Sequence, residues 1–300
     1  MSRVPFGKLL RKTNPKDALF HIVNSLSMIL VSVISFYPFY FIIMNSLSDS
    51  TLAFGKFLLY PLGLNFSAYK VLFQSADIIR SLTISILRST IGPFLTLLVI
   101  FMAAYSLSKK NLVGKKILIR VIVYTMYFSA GIIPLYILIV KLHLNNTFWV
   151  YILPNLVNIF EMLLIKTYIE GIPESLCESA YMDGANDLVI AFRIILPLSI
   201  PVIAAMGLFE CVQQWNAYQD TLFWNAGNSA LHPLQYVLVT MIQSKAMTVE
   251  QAQSIGGAAV MSTTTLRMAM TVVTIIPIGL VYPFLQRYFI KGLLVGSIKE

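Results

Sequence analysis

The stretch STIGPFLTLLVIFMAAYSLS, residues 89–108, decides the fold class of this chain. It is 20 residues long and contains no Asp, Glu, Lys or Arg. A helix of about 20 largely apolar residues crosses the hydrocarbon core of a bilayer, which is about 30 Å thick. Because backbone groups cannot remain unpaired in lipid, such a run predicts a membrane-spanning α-helix.

The composition of the whole chain agrees with a membrane protein. Of its 300 residues, 57% are hydrophobic and 12% are charged, whereas about 25% are charged in an average soluble domain. High hydrophobicity also excludes a disordered chain. The only two cysteines, Cys177 and Cys211, are too few for a disulfide-built secreted module.

Six stretches are long and apolar enough to be predicted as spans. They are residues 18–48, 89–108, 121–140, 142–160, 194–209 and 268–286. The fifth is the weakest, because Glu210 interrupts its apolar run. Residues 57–69 and 221–244 are broken by glycine, proline or polar residues, and we predict an interfacial helix at 234–242 instead. The sequence therefore predicts an all-α membrane protein with six transmembrane helices.

The distribution of Lys and Arg predicts the orientation. Fifteen of the 22 fall in the N-terminal arm, in the loops after the second and fourth predicted spans, and after the sixth span. Six fall on the opposite side, so both termini are predicted to be cytoplasmic. We predict a basic arm at 1–17, a six-helix domain at 18–290 and a tail at 291–300. Membrane orientation and lipid phosphate explain the net charge of +9 better than nucleic acid does.

The loop between the fourth and fifth predicted spans carries a specific motif. It reads IPESLCESAYMDGANDLVIAFRIILP at residues 172–197. Pro173 suits the first turn of a helix, Ala180 permits close approach, and Gly184 permits a left-handed turn. The loop therefore predicts two short helices joined by a turn at the membrane surface. This unit could bind a cytoplasmic partner, or it could be an ordinary amphipathic connector on the headgroups.

The spacing of this loop resembles the EAA loop of ABC-importer permeases, which reads E-A-A, three residues, G, nine residues, I-x-L-P. Glu178, Ala180 and Gly184 match, as do Ile194, Leu196 and Pro197. Ser179 stands where the pattern has alanine, which is a small-for-small change. We call residues 171–197 the EAA segment. The resemblance implies that it contacts an ATPase through Glu178, Ser179, Ala180, Asp183, Gly184, Ala185, Ile194, Leu196 and Pro197.

Further stretches are similar to the carbohydrate-uptake group of these permeases, and among them to the six-span inner-membrane subunit of the maltose transporter. They are residues 146–149, 172–201, 215–216 and 286–296. Relatives in this group carry complex oligosaccharides, including acidic fragments of pectin and alginate. The resemblance implies the transmembrane subunit of a type I ABC importer in a bacterial inner membrane. It also implies a second, homologous permease in a heterodimer, two cytoplasmic ATPase subunits that use ATP and Mg, and an extracellular solute-binding protein.

Motifs for catalysis are missing from the sequence. No G-x-x-x-x-G-K-[ST] phosphate loop, G-x-S-x-G elbow or H-E-x-x-H pair occurs, and the three histidines are scattered. The chain is therefore expected to be a transport subunit rather than an enzyme. We expect it to bind no metal or cofactor of its own, so that ATP is hydrolysed by other subunits.

Polar side chains at membrane depth are candidates for the substrate path, because each is costly in lipid unless it faces a cavity or a partner. The candidates are Asn155, Asn158 and Glu161 on the fourth span, and Glu210, Gln213, Gln214, Trp215, Asn216 and Tyr218 on and after the fifth. Aromatic faces and amides suit sugar rings and hydroxyls. The same residues could instead join helices, and Glu161 or Glu210 could pair with Arg88.

Two other function classes remain open from the sequence. An ion-coupled secondary carrier would use Glu161 and Glu210 as relays within the membrane. A membrane scaffold for a cytoplasmic enzyme would need neither carboxylate.

Overall fold

The computed structural model describes residues 15–53, 58–243 and 263–297. These residues form helices and turns, with one isolated antiparallel bridge between Ser48 and Leu64 and no longer strand. Of the predicted arm at 1–17, residues 1–14 lie outside the described residues. The α-helices are α1 Pro15–Ser46, α2 Ser50–Ala53, α3 Ser67–Gln74, α4 Ala76–Ser108, α5 Lys115–Tyr127, α6 Ile132–Lys141, α7 Ile159–Glu170, α8 Ser175–Met182, α9 Asp187–Ile190, α10 Leu196–Leu198, α11 Ile200–Asn216, α12 Leu234–Gln243 and α13 Thr263–Ser297.

The described helices account for most of the predicted spans. Residues 19–46 of α1 and the whole of α4 are each long and apolar enough to cross a membrane. Three pairs of bent helices can each be counted as one further span, which gives up to five spans within the described residues. The sixth predicted span lies in α13, whose side chains are described only in part. The all-α class is confirmed, whereas the count of six and the cytoplasmic termini remain predictions.

The bent pairs correct three predicted boundaries. The predicted run 121–140 bends by 109° between α5 and α6, where Gly131 has a φ of 81°. The run predicted at 142–160 is instead two 3₁₀ turns, over residues 148–155, followed by α7, with a bend of 51°. The fifth predicted span bends by 80° at Ser199, because Pro197 and Pro201 lack the N–H groups that would continue the helix.

The chain divides into two compact units. The first comprises residues 1–69 and 247–272, and the second comprises residues 70–246 and 273–300. In the first unit, α1 exposes apolar side chains along residues 19–36. The segment after it is fixed by the Ser48–Leu64 bridge and by a hydrogen bond from Asp49 N to Leu62 O of 2.9 Å.

The second unit is built around α4, which packs against α7, α11 and α12. The core contains Ile100, Phe101 and Ala104 of α4, Met162 and Ile165 of α7, Ile190, Ile195 and Met206. The predicted helix at 234–242 is confirmed as α12, whose Leu234 N donates to Ser85 Oγ of α4 at 2.7 Å. Its predicted interfacial position is untested.

Candidate functional site

The EAA segment forms the predicted unit of two short helices joined by a turn. Helix α8 ends at Met182, and Asn186 caps α9 by accepting a hydrogen bond from Val189 N at 2.9 Å. Between them Gly184 has a φ of 80°, in the left-handed region that favours glycine. A π-helical turn over residues 191–195 follows, and α10 leads to the bend at Ser199. The local prediction for this loop is confirmed.

The two faces of the EAA segment have different surroundings. Ala180 and Ile190 are buried, and they join the core formed by α4 and α7. Met182 is 88% exposed, and Leu176 and Leu188 are also exposed. The two short helices therefore present exposed apolar side chains, together with Glu178, Ser179, Asp183 and Gly184, which are exposed as well.

The remaining predicted docking residues lie nearer the bundle. Ala185, Ile194 and Leu196 are half-buried and pack against the core. Pro197 is exposed and lies next to the bend. These four residues therefore shape the segment rather than form its tip.

A polar cluster joins the EAA segment to the end of α4. Lys109 Nζ lies 2.7 Å from Tyr181 OH and 3.0 Å from Asp187 Oδ1. Asp187 Oδ1 also accepts hydrogen bonds from Tyr181 OH at 2.5 Å and from Tyr105 OH at 3.2 Å. The ammonium lies 4.4 Å from the Tyr105 ring centroid, in the geometry of a cation–π contact. We call Tyr105, Lys109, Tyr181 and Asp187 the Lys109 cluster.

Electrostatics keeps the cations of this end charged. Burial lowers the pKa of Lys109, but its hydrogen bonds with Tyr105, Tyr181 and Asp187 outweigh burial and hold the pKa above its usual value. The neighbouring Lys110 is fully exposed and pairs with Glu174, whose hydrogen bond and negative charge raise the Lys110 pKa. Lys115 and Lys166 both pair with Glu170. The loop 109–120 and the EAA segment therefore lie at the same end of the second unit.

A second cluster surrounds Arg88 in the middle of α4, 12 residues after the helix begins at Ala76. Arg88 is fully buried, and its guanidinium donates to Asp220 Oδ2 at 2.5 Å and to Gln214 Oε1 at 3.0 Å. It also donates to Ala217 O at 3.2 Å and stacks on Tyr151, 4.3 Å from the ring centroid. We call Arg88, Tyr151, Gln214 and Asp220 the Arg88 cluster. The suggested pairing of Arg88 with Glu161 or Glu210 is wrong, since Asp220 supplies the carboxylate.

The predicted path residues divide by exposure. Asn155, Gln213 and Asn216 are exposed, and Asn158 and Tyr218 are half-buried. Glu161, Glu210, Gln214 and Trp215 are buried; Gln214 belongs to the Arg88 cluster, and Trp215 Nε1 donates to Thr274 O at 3.0 Å. The exposed Gln213 and Asn216 share one face of α11 with Phe209, at spacings of four and three residues.

The three path candidates predicted on the fourth span, Asn155, Asn158 and Glu161, do not lie on one helix. Asn155 ends a 3₁₀ turn, and its Nδ2 lies 3.4 Å from Tyr151 O. Asn158 is the N-cap of α7, where its Oδ1 accepts from Glu161 N at 3.3 Å. Proline at 154 and the capping Asn158 favour a helix break there. The prediction that all three residues lie on one continuous spanning helix was therefore wrong.

Two buried carboxyl groups meet between α7 and α11. Glu161 is 4% exposed and Glu210 is 1% exposed, and the two carboxyl groups interact electrostatically. Asn158 Nδ2 donates to Glu210 Oε1 at 3.1 Å. Among the described residues, neither Oε2 atom has a hydrogen-bond partner. Like charges on two buried carboxyl groups repel, so this contact is unfavourable when both are ionised.

Sequence reasoning missed the contacts that form the Lys109 cluster and the Arg88 cluster. Lys109 and Asp187 are 78 positions apart, and Arg88 and Asp220 are 132 apart. The spacing of Tyr105 and Lys109 at i and i+4 was visible, but nothing in the sequence indicated their partners. Within the described residues, no group of three or more His, Cys, Asp or Glu side chains could hold a metal ion.

Comparison with known proteins identifies this arrangement. Residues 89–295 match the family described as "Binding-protein-dependent transport system inner membrane component". The match covers more than half of the chain, including the EAA segment, the Lys109 cluster and all of the Arg88 cluster except Arg88 itself. The chain belongs to this family.

Relatives of this permease are similar over almost their whole length. The polygalacturonan/rhamnogalacturonan transport system permease protein YtcP of Bacillus subtilis is 35% identical over 285 residues, which cover 95% of this chain and 99% of YtcP. The arabinooligosaccharides transport system permease protein AraQ of the same species is 28% identical, covering 95% of this chain and 98% of AraQ.

A solved structure agrees with the fold. A chain in the crystal structure of a bacterial ABC transporter involved in the import of the acidic polysaccharide alginate aligns with a TM-score of 0.83 and 30% identity. The alignment covers 93% of this permease and 99% of that chain. The permease is thus a membrane component of an ABC importer, and such permeases are transport subunits without an ATPase site of their own.

Proposed function

We propose that this permease carries oligosaccharides, including acidic ones, across a bacterial inner membrane as half of a permease heterodimer. The proposal adds two cytoplasmic ATPase subunits that bind ATP and Mg, and an extracellular solute-binding protein. The observation that carries it is the EAA segment, whose buried side is fixed to α4 and whose exposed side is an apolar tip. Exposed apolar patches of this kind mark binding surfaces for other proteins.

The exposed chemistry of the segment suits a groove on a folded partner. Met182, Leu176 and Leu188 supply apolar contact area, and Glu178 and Asp183 supply a polar rim. A hydrophobic centre with a polar border is the usual composition of a protein interface. Gly184 has open space around its α-carbon, so a partner can approach the turn closely.

The substrate path is proposed along the exposed face of α11. Phe209, Gln213 and Asn216 supply an aromatic ring and two amides, which pack on sugar rings and bond to hydroxyls. Asn155 is exposed as well and supplies a third amide.

An acidic sugar is compatible with the charges at this face. Glu161 and Glu210 are buried away from it, so they place no negative charge where a uronate carboxylate would pass. The proposal that the sugar is acidic is supported by YtcP, named for polygalacturonan and rhamnogalacturonan transport, and by the alginate importer. Arg88 is already bound to Asp220, so this chain offers the sugar carboxylate no charged partner there.

The proposed mechanism is alternating access. The ATPase subunits close when they bind ATP, move the EAA segments of both permeases, and open the cavity toward the solute-binding protein. The sugar leaves inward after hydrolysis. Two states that differ in docking contacts are required for ATP to bias the equilibrium between them.

Reconstitution of the complete importer in liposomes tests this function. We expect a panel of neutral and acidic oligosaccharides on the binding protein to stimulate ATP hydrolysis and to accumulate inside. Glu178→Lys and a bulky residue at Gly184 should insert normally but lose uptake, because one reverses a charge at the docking surface and the other strains the left-handed turn. Normal uptake by both variants would contradict the docking proposal.

An ion-coupled carrier is the second candidate, and the Glu161–Glu210 pair favours it. A buried carboxyl pair that holds a proton is a feature of proton relays in membranes. The two functions differ in their energy source: a protonophore would abolish carrier transport, whereas removal of ATP would abolish importer transport. A scaffold without transport would show neither accumulation nor sugar-stimulated hydrolysis.

A further inference from the structure

The two polar clusters lie at two separate positions on one helix. The Lys109 cluster joins the EAA segment to the C-terminal end of α4, and the Arg88 cluster joins the middle of α4 to Gln214 and Asp220. The 21 residues from Arg88 to Lys109 correspond to about 31 Å along an α-helix, close to the thickness of a hydrocarbon core of about 30 Å. Both short helices of the segment contribute to the first cluster, through Tyr181 and Asp187.

We propose that α4 transmits movement of the EAA segment to residues 217–225 at the Arg88 cluster, and that Lys109 is the positioning residue that joins the segment to α4. This inference rests on the proposed function, since it assumes that an ATPase moves the segment. It assigns to Lys109 a role that the EAA pattern does not contain, because Lys109 lies outside residues 171–197.

The contacts of Lys109 explain why it, rather than another cation of the same loop, has this role. A single charged group bonds to α8 through Tyr181 and to α9 through Asp187, and its own helix adds Tyr105. When the segment moves, this bonding pattern moves α4 with both short helices. Packing of Ala180 and Ile190 against the α4 core keeps the polar contacts in register.

Lys110 provides a matched control on the next residue. Its ion pair is with Glu174, which precedes α8. The two side chains of this pair are 75% and 52% exposed, and exposed ion pairs contribute little. Lys110 therefore has the same charge and the same loop position as Lys109, but lacks the bonds to both short helices.

The Arg88 cluster makes the middle of α4 and the start of residues 217–225 a single unit. Arg88 bonds to Ala217 O and to both Asp220 oxygens, while Thr221 Oγ1 donates to Tyr151 OH at 3.1 Å. Because Arg88, Tyr151 and Thr221 are buried, a shift of this part of α4 must carry residues 217–221 with it or break several bonds. The segment continues to Phe223, whose side chain is exposed enough to hold a reporter.

The test uses the complete importer in liposomes and measures sugar imported per ATP hydrolysed. Lys109→Met should lower this ratio by roughly fivefold or more, the range of a typical coupling between sites. Lys110→Met should leave the ratio near that of the parent, and Lys109→Arg should restore most of it, because Arg keeps the charge and the donors. Equal ratios in Lys109→Met and Lys110→Met would overturn the inference.

A second readout follows residues 217–225 directly. Cys177 and Cys211 are replaced by Ser, Phe223→Cys carries a polarity-sensitive fluorophore, and ATP is added to the complex. The emission should change in this background and with Lys110→Met added, but not with Lys109→Met. An unchanged response in Lys109→Met would show that movement reaches residues 217–225 without the Lys109 cluster, and would overturn the proposal.

Cross-linking separates failure of this inference from failure of the proposed function. In the same background without Phe223→Cys, Met182→Cys should cross-link to the ATPase subunit with and without Lys109→Met. No cross-link in either would refute docking, and with it the proposed function. A cross-link in the parent that Lys109→Met abolishes would place Lys109 in docking alone and would refute transmission by α4.

Discussion

Two ion pairs on α4, one in the middle of the helix and one at its C-terminal end, have opposite character. Arg88 and Asp220 have side chains that are 0% and 11% exposed, whereas the side chains of Lys109 and Asp187 are 31% and 67% exposed. The first pair lies among Tyr151, Gln214 and backbone groups in the interior of the second unit. The second lies at the surface, where Asp187 begins α9 of the EAA segment.

This difference indicates different uses of charge in one helix. Breaking a buried pair leaves an uncompensated charge, so the Arg88 cluster holds its helices in one arrangement. The Lys109–Asp187 pair is partly exposed, so it contributes less to stability than the buried pair, although Tyr105 and Tyr181 hold both groups in place. The Arg88 cluster therefore keeps α4 attached to α11, and the Lys109 cluster suits a contact that must follow a moving partner.

Asp220→Ala is the largest expected disruption of this comparison. It leaves Arg88 buried with only Gln214, Ala217 O and the Tyr151 ring, and we expect the free energy of unfolding to fall by about 3 kcal/mol. Thermal unfolding of the purified complex measures the loss. Asp77→Ala is the control, because Asp77 and Arg80 form an exposed pair on the same helix. Equal melting temperatures for both variants would show that the buried pair has no special role.

Gly207→Leu tests packing rather than charge between α4 and α11. A Cβ at this position would lie 3.0 Å from Leu97 Cδ1, so a leucine must displace α4 side chains and should cost about 2 kcal/mol. Gly227→Leu is the control, since a Cβ there meets no atom within 4 Å. If Gly207→Leu melts like Gly227→Leu, the contact between these helices is not close, and the stability of the Arg88 cluster depends on polar bonds alone.

The sequence was informative where the structural signal is local. The uncharged run 89–108, the left-handed Gly184 and the short helices of the EAA segment all follow from residues near one another in the chain. Polar residues that join distant elements were predicted by type but not by partner. Gln214 and Trp215 were assigned to the path, although they bond to Arg88 and Thr274 inside the second unit.

The span boundaries show why hydropathy was incomplete. Hydropathy started the second span at residue 89, after the last charge, but α4 begins at Ala76 because Arg88 is neutralised by Asp220. The fourth span started too early, since residues 148–155 form 3₁₀ turns before the capping Asn158. Pairing of a charge depends on a tertiary contact, and capping depends on the identity of one polar residue near the helix start, and a window of hydropathy contains neither.

Glu161→Gln tests a third kind of polar contact, between two buried carboxyl groups on α7 and α11. Glutamine keeps the size of the side chain, removes the like charge beside Glu210 and supplies an N–H that can donate to the Glu210 carboxyl. We expect unfolding to require up to about 1 kcal/mol more free energy, measured as a higher melting temperature at neutral pH. Glu161→Ala, which removes the side chain and leaves a cavity, should melt lower than the parent. A lower melting temperature for Glu161→Gln would contradict repulsion between the two carboxyl groups.

Ser179→Ala is the smallest expected change and restores the alanine of the EAA pattern. Ser179 is exposed, and its Oγ donates to Ser175 O at 2.9 Å within α8. Alanine loses this bond but gains helix propensity of about 0.5 kcal/mol, so stability should change by no more than about 0.5 kcal/mol. Uptake by the reconstituted importer should equal that of the parent, because docking at this position depends on a small side chain. Ser179→Trp is the matched variant: it should keep the fold and lower uptake, since a large ring beside the exposed Met182 tip would separate the two surfaces. Reduced uptake by Ser179→Ala would instead assign the hydroxyl a direct bond to the partner, and would make the exposed end of α4 as dependent on polar contacts as its buried middle.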